Sequence, residues 1–406
     1  MKKSLIALAV LAAASGAAMA QSSVTLFGVV DATIRYIDSD TTGTASGAGA
    51  TLANGGSQWS LTNSGYNSSR IGFRGTEDLG GGLNASFWLE AGVNNDNGTG
   101  GATSLNNVAS TGGAAGSQGL TFNRRSTVSL AGGWGEMRLG RDYVPYFWNT
   151  TIFDPFGTNG VGAVSNFTLK GLNVISDGAF NTTAGGVRAS NSIGYFMPKI
   201  GGFYGQAMYA MGEANQQVAT ATGSTSNPNK NDGNVGSIRV GYAAGPVDVA
   251  FGWGATTFAP QRQYQVMNLG ASWNFGAFKL MGLANWEEGD LSVATAALTR
   301  NNNLKVTTYM VGATMPLGAG ELKGSATFGS GSYDLLDGQQ YAIGYVYNLS
   351  KRTALYTTGS YIVNSANGVT NAAGQTVIGG GVYSMGINPG INGNTFGLDF
   401  GVKHSF

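Results

Sequence analysis

Phe396-Gly397-Leu398-Asp399-Phe400-Gly401-Val402-Lys403-His404-Ser405-Phe406 alternates apolar and polar residues up to a terminal phenylalanine. Strict alternation marks a strand whose two faces meet two different environments. A chain that stops inside such a strand must still satisfy that strand's backbone N–H and C=O groups. Inside a membrane only a closed barrel does this, because hydrocarbon offers no partner to a free edge. The other end of the chain supplies a matching strand. Val24, Leu26, Gly28, Val30, Ala32, Ile34 and Tyr36 form one face, and Thr25, Asp31, Thr33 and Arg35 the other. Two end strands of the same kind predict a sheet that closes on itself.

The first twenty residues read as a segment removed before folding. Lys2 and Lys3 give a basic start, Leu5 to Ala14 an apolar core, and Ala18-Met19-Ala20 a small-residue cleavage site. The apolar run is too short to span about 30 Å of hydrocarbon as a helix. Residues 1–20 are therefore expected to be a cleaved signal peptide, and 21–406 a single exported β-domain. Without Lys2 and Lys3 the chain carries 20 basic against 21 acidic residues, which argues against binding nucleic acid by bulk charge. Charged residues make up 11% of the chain, well below the share a soluble β-sandwich would display. Glycine is abundant, with 67 residues, but the 11% aromatic content sets the chain apart from a disordered Gly/Ser polymer. Cysteine is absent, so stability has to come from the hydrogen-bonded sheet.

Two kinds of connection alternate along the chain. Tight ones read Asp78-Leu79-Gly80-Gly81-Gly82, Gly132-Gly133-Trp134-Gly135, Pro198-Lys199-Ile200-Gly201-Gly202, Ala244-Gly245-Pro246, Asn274-Phe275-Gly276, Pro316-Leu317-Gly318-Ala319-Gly320 and Asn348-Leu349-Ser350-Lys351. Long polar ones cover 37–67, 94–119, 144–185, 213–234, 288–303 and 362–393, with shorter ones near 256–262 and 330–338. Seven tight turns and eight longer loops separate 16 strands. The predicted fold class is all-β: a transmembrane antiparallel barrel with short periplasmic turns and long extracellular loops. Between the turns, Leu83, Ala85, Phe87, Leu89 and Ala91 oppose Asn84, Ser86, Trp88 and Glu90, and Tyr341, Ile343, Tyr345 and Tyr347 oppose Gln340, Ala342 and Gly344. The apolar face meets lipid or a neighbouring subunit, and the polar face an aqueous lumen.

One loop breaks the polar rule. Val144-Pro145-Tyr146-Phe147-Trp148 and Ile152-Phe153-Asp154-Pro155-Phe156-Gly157 carry too many aromatic rings to sit in water. Folding back into the barrel would bury them; packing on the rim or on another subunit would do so too. The inward fold is the expectation, with 144–185 as a constriction region.

The motifs then become specific. Ser69-Arg70-Ile71-Gly72-Phe73-Arg74-Gly75-Thr76-Glu77-Asp78-Leu79-Gly80, Asn123-Arg124-Arg125, Leu139-Gly140-Arg141, Asp154-Pro155-Phe156-Gly157 and Arg188-Ala189-Ser190-Asn191-Ser192-Ile193-Gly194-Tyr195 follow one another in family order. Ser350-Lys351-Arg352-Thr353-Ala354-Leu355-Tyr356 and the ending Lys403-His404-Ser405-Phe406 complete the set. The chain resembles the trimeric general diffusion porins of Gram-negative outer membranes, and matches their beta-proteobacterial branch. The resemblance implies a homotrimer of barrels in outer-membrane lipid and lipopolysaccharide, each passing small hydrophilic solutes and ions. It also implies a third loop folded into the lumen opposite a basic wall. On the matching positions that wall is Arg70, Arg124 and Arg188, with Asp154 as the loop acid. Arg74 shares a lumen face with Arg70 and extends the cluster.

Alternation along Thr127–Leu130 would turn Arg125, not Arg124, to the lumen, whereas the resemblance selects Arg124. Val144 to Lys170 holds a single acid, Asp154, so several arginines facing it predict a weak anion preference. His404 is the only histidine and lies on the Phe400/Val402 face, which argues against nucleophilic catalysis. Loop acids such as Asp38, Asp40, Asp96 and Asp232 match no calcium-loop spacing, and no cofactor is expected. A substrate-specific channel would need an aromatic track or a basic staircase. A surface adhesin or structural barrel would act through its loops. Neither pattern stands out in the sequence, which favours the general pore.

Overall fold

The computed structural model describes residues 23–40, 55–101, 119–168, 186–213, 231, 233–258, 262–295, 298–332, 337–365, 369–370, 376–378, 383, 385 and 393–406. The expected signal peptide, residues 169–185 of the aromatic loop, and most of 94–119, 213–234 and 362–393 lie outside them. One antiparallel sheet holds eighteen strand segments. Two of these extend neighbours rather than add staves. Gly56–Asn63 pairs only with Ala32–Ser39 of the first strand, and Thr99–Gly100 only with Val93 and Asn94. The remaining sixteen form the barrel: Ser23–Ser39, Arg70–Gly80, Leu83–Asn94, Arg125–Gly132, Gly135–Tyr143, Arg188–Phe196, Phe203–Ala210, Val235–Ala244, Val247–Phe258, Arg262–Asn274, Lys279–Thr295, Leu298–Leu317, Gly320–Gly331, Gly338–Asn348, Thr353–Asn364 and Thr395–Ser405.

Closure runs through the two end strands. Val29 to Ser39 pairs antiparallel with Ser405 to Thr395. The terminal phenylalanine is included, since Gly28 and Phe406 exchange both backbone hydrogen bonds at 3.1 Å. The first strand is bordered on its other side by Arg70–Gly80 and then, further along, by Gly56–Asn63. That second stave is thus broken, and residues 64–69 leave the sheet between its halves.

The two faces separate as alternation requires. On the first strand, Val24 and Ile34 are 64% and 52% exposed outside, while Asp31 and Thr33 are fully buried inside. Phe203, Tyr209, Leu280, Tyr341, Ile343 and Phe400 also face outward. Hydrocarbon is the environment that makes their placement favourable. No described helix is long and apolar enough to cross a membrane, so the crossing is made by strands.

One expected loop is sheet. The backbone of Lys279–Thr295 pairs with Leu298–Leu317 from Lys279↔Thr314 to Thr295↔Leu298, so 288–303 is mostly a two-stranded arm. Beyond the bilayer both faces of a hairpin are wet. Alternation then disappears and the segment reads as a polar loop.

Residues 144–168 fold inside the barrel. A short helix, Phe147–Ile152, and a 3-10 turn, Val164–Asn166, are the only helical pieces described in this loop. The segment lies along the wall made by the later strands. Tyr146 fits beside Gly252 and Gly254, Phe153 against Gly270, Pro155 against Gly312, and Phe156 beside Gly344. Val164 packs on Leu283 and Met310. Phe167 stacks on Tyr383 with ring centroids 3.8 Å apart. Glycines on the lumen face let rings lie flat against the backbone, a packing that any Cβ would block. At Gly270 an added Cβ would overlap the Phe153 ring, whereas at Gly236 nothing lies within 4 Å. Gly270→Val is expected to lower the stability of the detergent-solubilised barrel by about 1–3 kcal/mol and to raise open-channel noise. Gly236→Val should do neither. Thermal melts and single-channel traces of the two variants check this.

Candidate functional site

The inward segment is tied to the wall by polar side chains from many strands. Asn149 donates to Ala250 O at 3.0 Å and Asn268 Oδ1 at 2.9 Å, and accepts from Arg239 Nε at 2.6 Å. Gln340 Nε2 donates to Gly162 O at 2.9 Å, and Lys323 Nζ to Pro155 O at 3.0 Å. Val161 N donates to Asp399 Oδ2 at 3.0 Å, and Arg35 grips the same carboxylate at 2.7 and 2.9 Å. The loop therefore covers the lumen face of the later strands and leaves that of the second to sixth strands open.

A second, smaller insertion meets the loop. Residues 64–69, which leave the sheet at the broken stave, turn inward and are anchored on Asp31. Its Oδ2 accepts from Tyr66 N at 2.9 Å and Asn67 N at 2.6 Å, while Tyr356 Oη donates to Oδ1 at 2.5 Å. Ser68 Oγ then donates to Asn159 Oδ1 of the inward loop at 2.8 Å.

Arginines occupy the open wall. Arg124 Nε lies 2.6 Å from Glu90 Oε1, and its Nη2 donates to Tyr143 Oη at 3.1 Å. Arg188 Nη2 donates to the same hydroxyl at 2.6 Å and lies over the Tyr143 ring at 4.3 Å. Arg70 approaches Glu90 at 3.8 Å and donates to Asn67 Oδ1 and Ser68 O at 3.1 and 3.0 Å. Arg70, Arg124 and Arg188 thus form one group around Glu90 and Tyr143. Arg74 stands further along, toward the tight-turn rim, over Phe27 and Trp88 at 5.3 and 5.1 Å.

Both members of the Arg124-Arg125 pair reach the lumen. Regular pairing begins at Glu90↔Arg125, and Arg124 precedes the strand, where alternation no longer dictates its direction. Arg125 lies 3.7 Å from Asp142 and over Trp88 at 4.6 Å. Arg138 pairs with Asp142 at 2.9 Å and Glu136 at 2.8 Å.

Asp154 lies on the inward loop, but its carboxylate points into the loop itself. Oδ1 accepts from Phe156 N at 2.9 Å, and Oδ2 from Thr158 N at 2.9 Å and Val164 N at 3.0 Å. Burial pushes its carboxyl upward from the usual range, while these donors and the Lys323 ammonium pull it down. The acid thus shapes the loop instead of projecting toward the arginines.

Between loop and wall lies a cavity of about 600 Å³. Its charged lining is Arg70, Arg124, Arg125 and Lys323 against Glu90, Asp142 and Asp154. The cations present more surface than the acids: Arg70 is 24% exposed and Glu90 10%, and Arg125 is 16% exposed and Asp142 3%. Each acid is also engaged by a guanidinium or by backbone donors. A passing ion therefore meets a net positive surface across a narrow gap with low-dielectric walls. Among the described residues no cluster of ligands suited to a metal ion occurs.

Sequence reasoning placed Trp88 and Glu90 on the lumen face but gave them no role. Asp31 and Arg35 were likewise placed on a polar face without a role, and Lys323 and Asp399 drew no reading, because each acts on a group far away in sequence.

Comparison with known proteins adds an independent line. The Gram-negative porin family profile matches residues 7–367. Outer membrane porin protein 32 of Delftia acidovorans is 37% identical over 414 positions, covering 100% of both chains. An outer membrane porin protein of Bordetella pertussis is 32% identical, over 94% of this chain and 99% of the relative. Among solved structures, the anion-selective porin from Comamonas acidovorans superposes with a TM-score of 0.71 at 32% identity, covering 95% of this chain and 100% of that one.

Proposed function

The chain belongs to the Gram-negative porin family of outer-membrane diffusion channels, and from that premise we propose that its lumen passes small hydrophilic solutes and ions passively with a weak preference for anions. The observation that carries the anion preference is the charge asymmetry of the cavity, where partly exposed arginines line the path and every acid is engaged. Arg70, Arg124 and Arg188 form the selective wall, and Arg74 extends it. Asp154 holds residues 154–164 of the inward loop in the shape that narrows the path. Arginine suits this crowding because it keeps its charge beside other cations. The step is diffusion, so the reading involves no catalysis, energy source or cofactor. Three copies assemble, as the family resemblance implies, with lipid and lipopolysaccharide on the remaining outer surface. Residues 1–20 serve export and are removed.

In a planar bilayer, purified protein should open ohmic channels whose conductance follows bulk salt. Liposome swelling should slow as uncharged sugars grow larger. Closed bilayers with protein shown to be folded would refute the reading. The preference should also fade with salt, since the Debye length falls from about 10 Å at 0.1 M to about 3 Å at 1 M. Reversal potentials under equal concentration ratios at the two ends of that range check it.

A further inference from the structure

Trp88 is out of place in a purely polar lumen, and its surroundings are built around it. The ring lies on the third strand, opposite Arg74 on the second and Thr127 on the fourth. The Arg74 guanidinium stands 5.1 Å and the Arg125 guanidinium 4.6 Å from its centre. Phe27 of the first strand comes within 4.9 Å, ring centroid to ring centroid. It does so by lying across Gly72, where any Cβ would collide with the Phe27 ring. Trp88 Nε1 donates to Glu90 Oε2 at 3.2 Å, and Arg125 Nε to Thr127 Oγ1 at 3.0 Å, so the array is fixed. Trp148 and Tyr143 line the same cavity, their rings 5.1 Å apart.

Water and inorganic ions need none of these rings. An aromatic corner, its two rings tilted 60° to each other and bordered by guanidinium groups, complements a solute that is itself flat, apolar and anionic. Arg74 makes no ion pair among the described residues and stays exposed, so it can accept a new carboxylate. We infer that the Phe27–Trp88 surface with Arg74 and Arg125 is a binding site for planar aromatic carboxylates, which the channel takes up in preference to non-aromatic acids of the same charge. The ring of the solute lies against one of the two rings and meets the other edge-on, and its carboxylate is held by guanidinium N–H groups. Arg125 already approaches Asp142 at 3.7 Å, leaving Arg74 as the principal partner. The site rests on the anion-passing reading above and adds a substrate class to it.

Benzoate and cyclohexanecarboxylate share charge and approximate size, but only benzoate is flat and aromatic. Titrated against the chloride current of the full-length channel, benzoate should block at about two- to tenfold lower concentration, the gain expected of one aromatic stacking contact. In Trp88→Thr that ratio should fall to about one. Phe27→Thr reads the same ratio should the tryptophan variant fail to fold. Equal block by the two acids in the wild type, or an unchanged ratio in both variants, would overturn the inference. Chloride preference without discrimination refutes this site and leaves the anion reading standing. Discrimination in a channel that shows no chloride preference supports the site and refutes that reading.

Discussion

Replacing Arg124 with glutamine should abolish the anion preference and turn the channel toward cations. Arg124 does two things at once: it adds a positive charge to the lumen wall, and at 2.6 Å it masks Glu90. With Arg124 gone, the nearest cation to Glu90 is Arg70 at 3.8 Å, already shared with Asn67 and Ser68. A unit charge about 6 Å from the ion path shifts the energy of a monovalent ion by about 0.7 kcal/mol in water. Anion and cation respond with opposite sign, so the permeability ratio moves by about tenfold, and screening at 0.1 M roughly halves the energy. Unmasking Glu90 adds to the shift. Arg124→Glu should go further, and Arg74→Gln, which removes a cation outside the cavity lining, should do least. Breaking the buried pair also carries a stability cost of about 3–5 kcal/mol, so melting curves belong beside the bilayer data.

Asp154→Ala should release the inward loop without dissolving the barrel. Three loop N–H groups, those of Phe156, Thr158 and Val164, converge on this carboxylate. Alanine leaves them without an acceptor, at about 1–3 kcal/mol for each buried donor. The barrel itself is held by cross-strand pairing that does not pass through the loop, including the closure of the first strand on the last. The expected phenotype is a folded protein with larger, noisier conductance and weaker anion preference, because loop and wall no longer hold a fixed gap. Asp154→Asn keeps one acceptor oxygen and should fall between the two. An alanine variant with quiet, unchanged openings would show that the loop is set elsewhere, through Asp399 and Gln340.

What could be read from the sequence follows from where each signal is written. Strands that cross the membrane separate lipid from water, so Val24 to Tyr36 and Phe396 to Phe406 declare their faces without any structure. The arm at 288–303 pairs by backbone without alternating apolar and polar residues, so it passed for a loop. Direction failed locally at Arg124, whose backbone lies just ahead of the regular ladder. Aromatic density around Phe147 and Phe153 exposed the inward loop, because apolar rings need a burial site. Its docking glycines, Gly252, Gly254 and Gly270, looked like the rest of a glycine-rich chain. Asp154 was recognisable as the only acid of its segment, but its orientation was not, since backbone donors within the loop claim it. The partners of Asp31, Lys323 and Asp399 could not be assigned. These groups, such as Tyr356 for Asp31 and Val161 for Asp399, become neighbours only when the barrel closes.

The reversal potential of the wild-type channel in a shallow gradient of potassium chloride at low ionic strength reads the sign of the lumen charge without any substitution. The charge asymmetry of the cavity lined by Arg70, Arg124 and Arg125 predicts a sign that favours chloride. A potential favouring potassium would mean that the engaged acids, not the arginines, control the path, and would refute the anion preference.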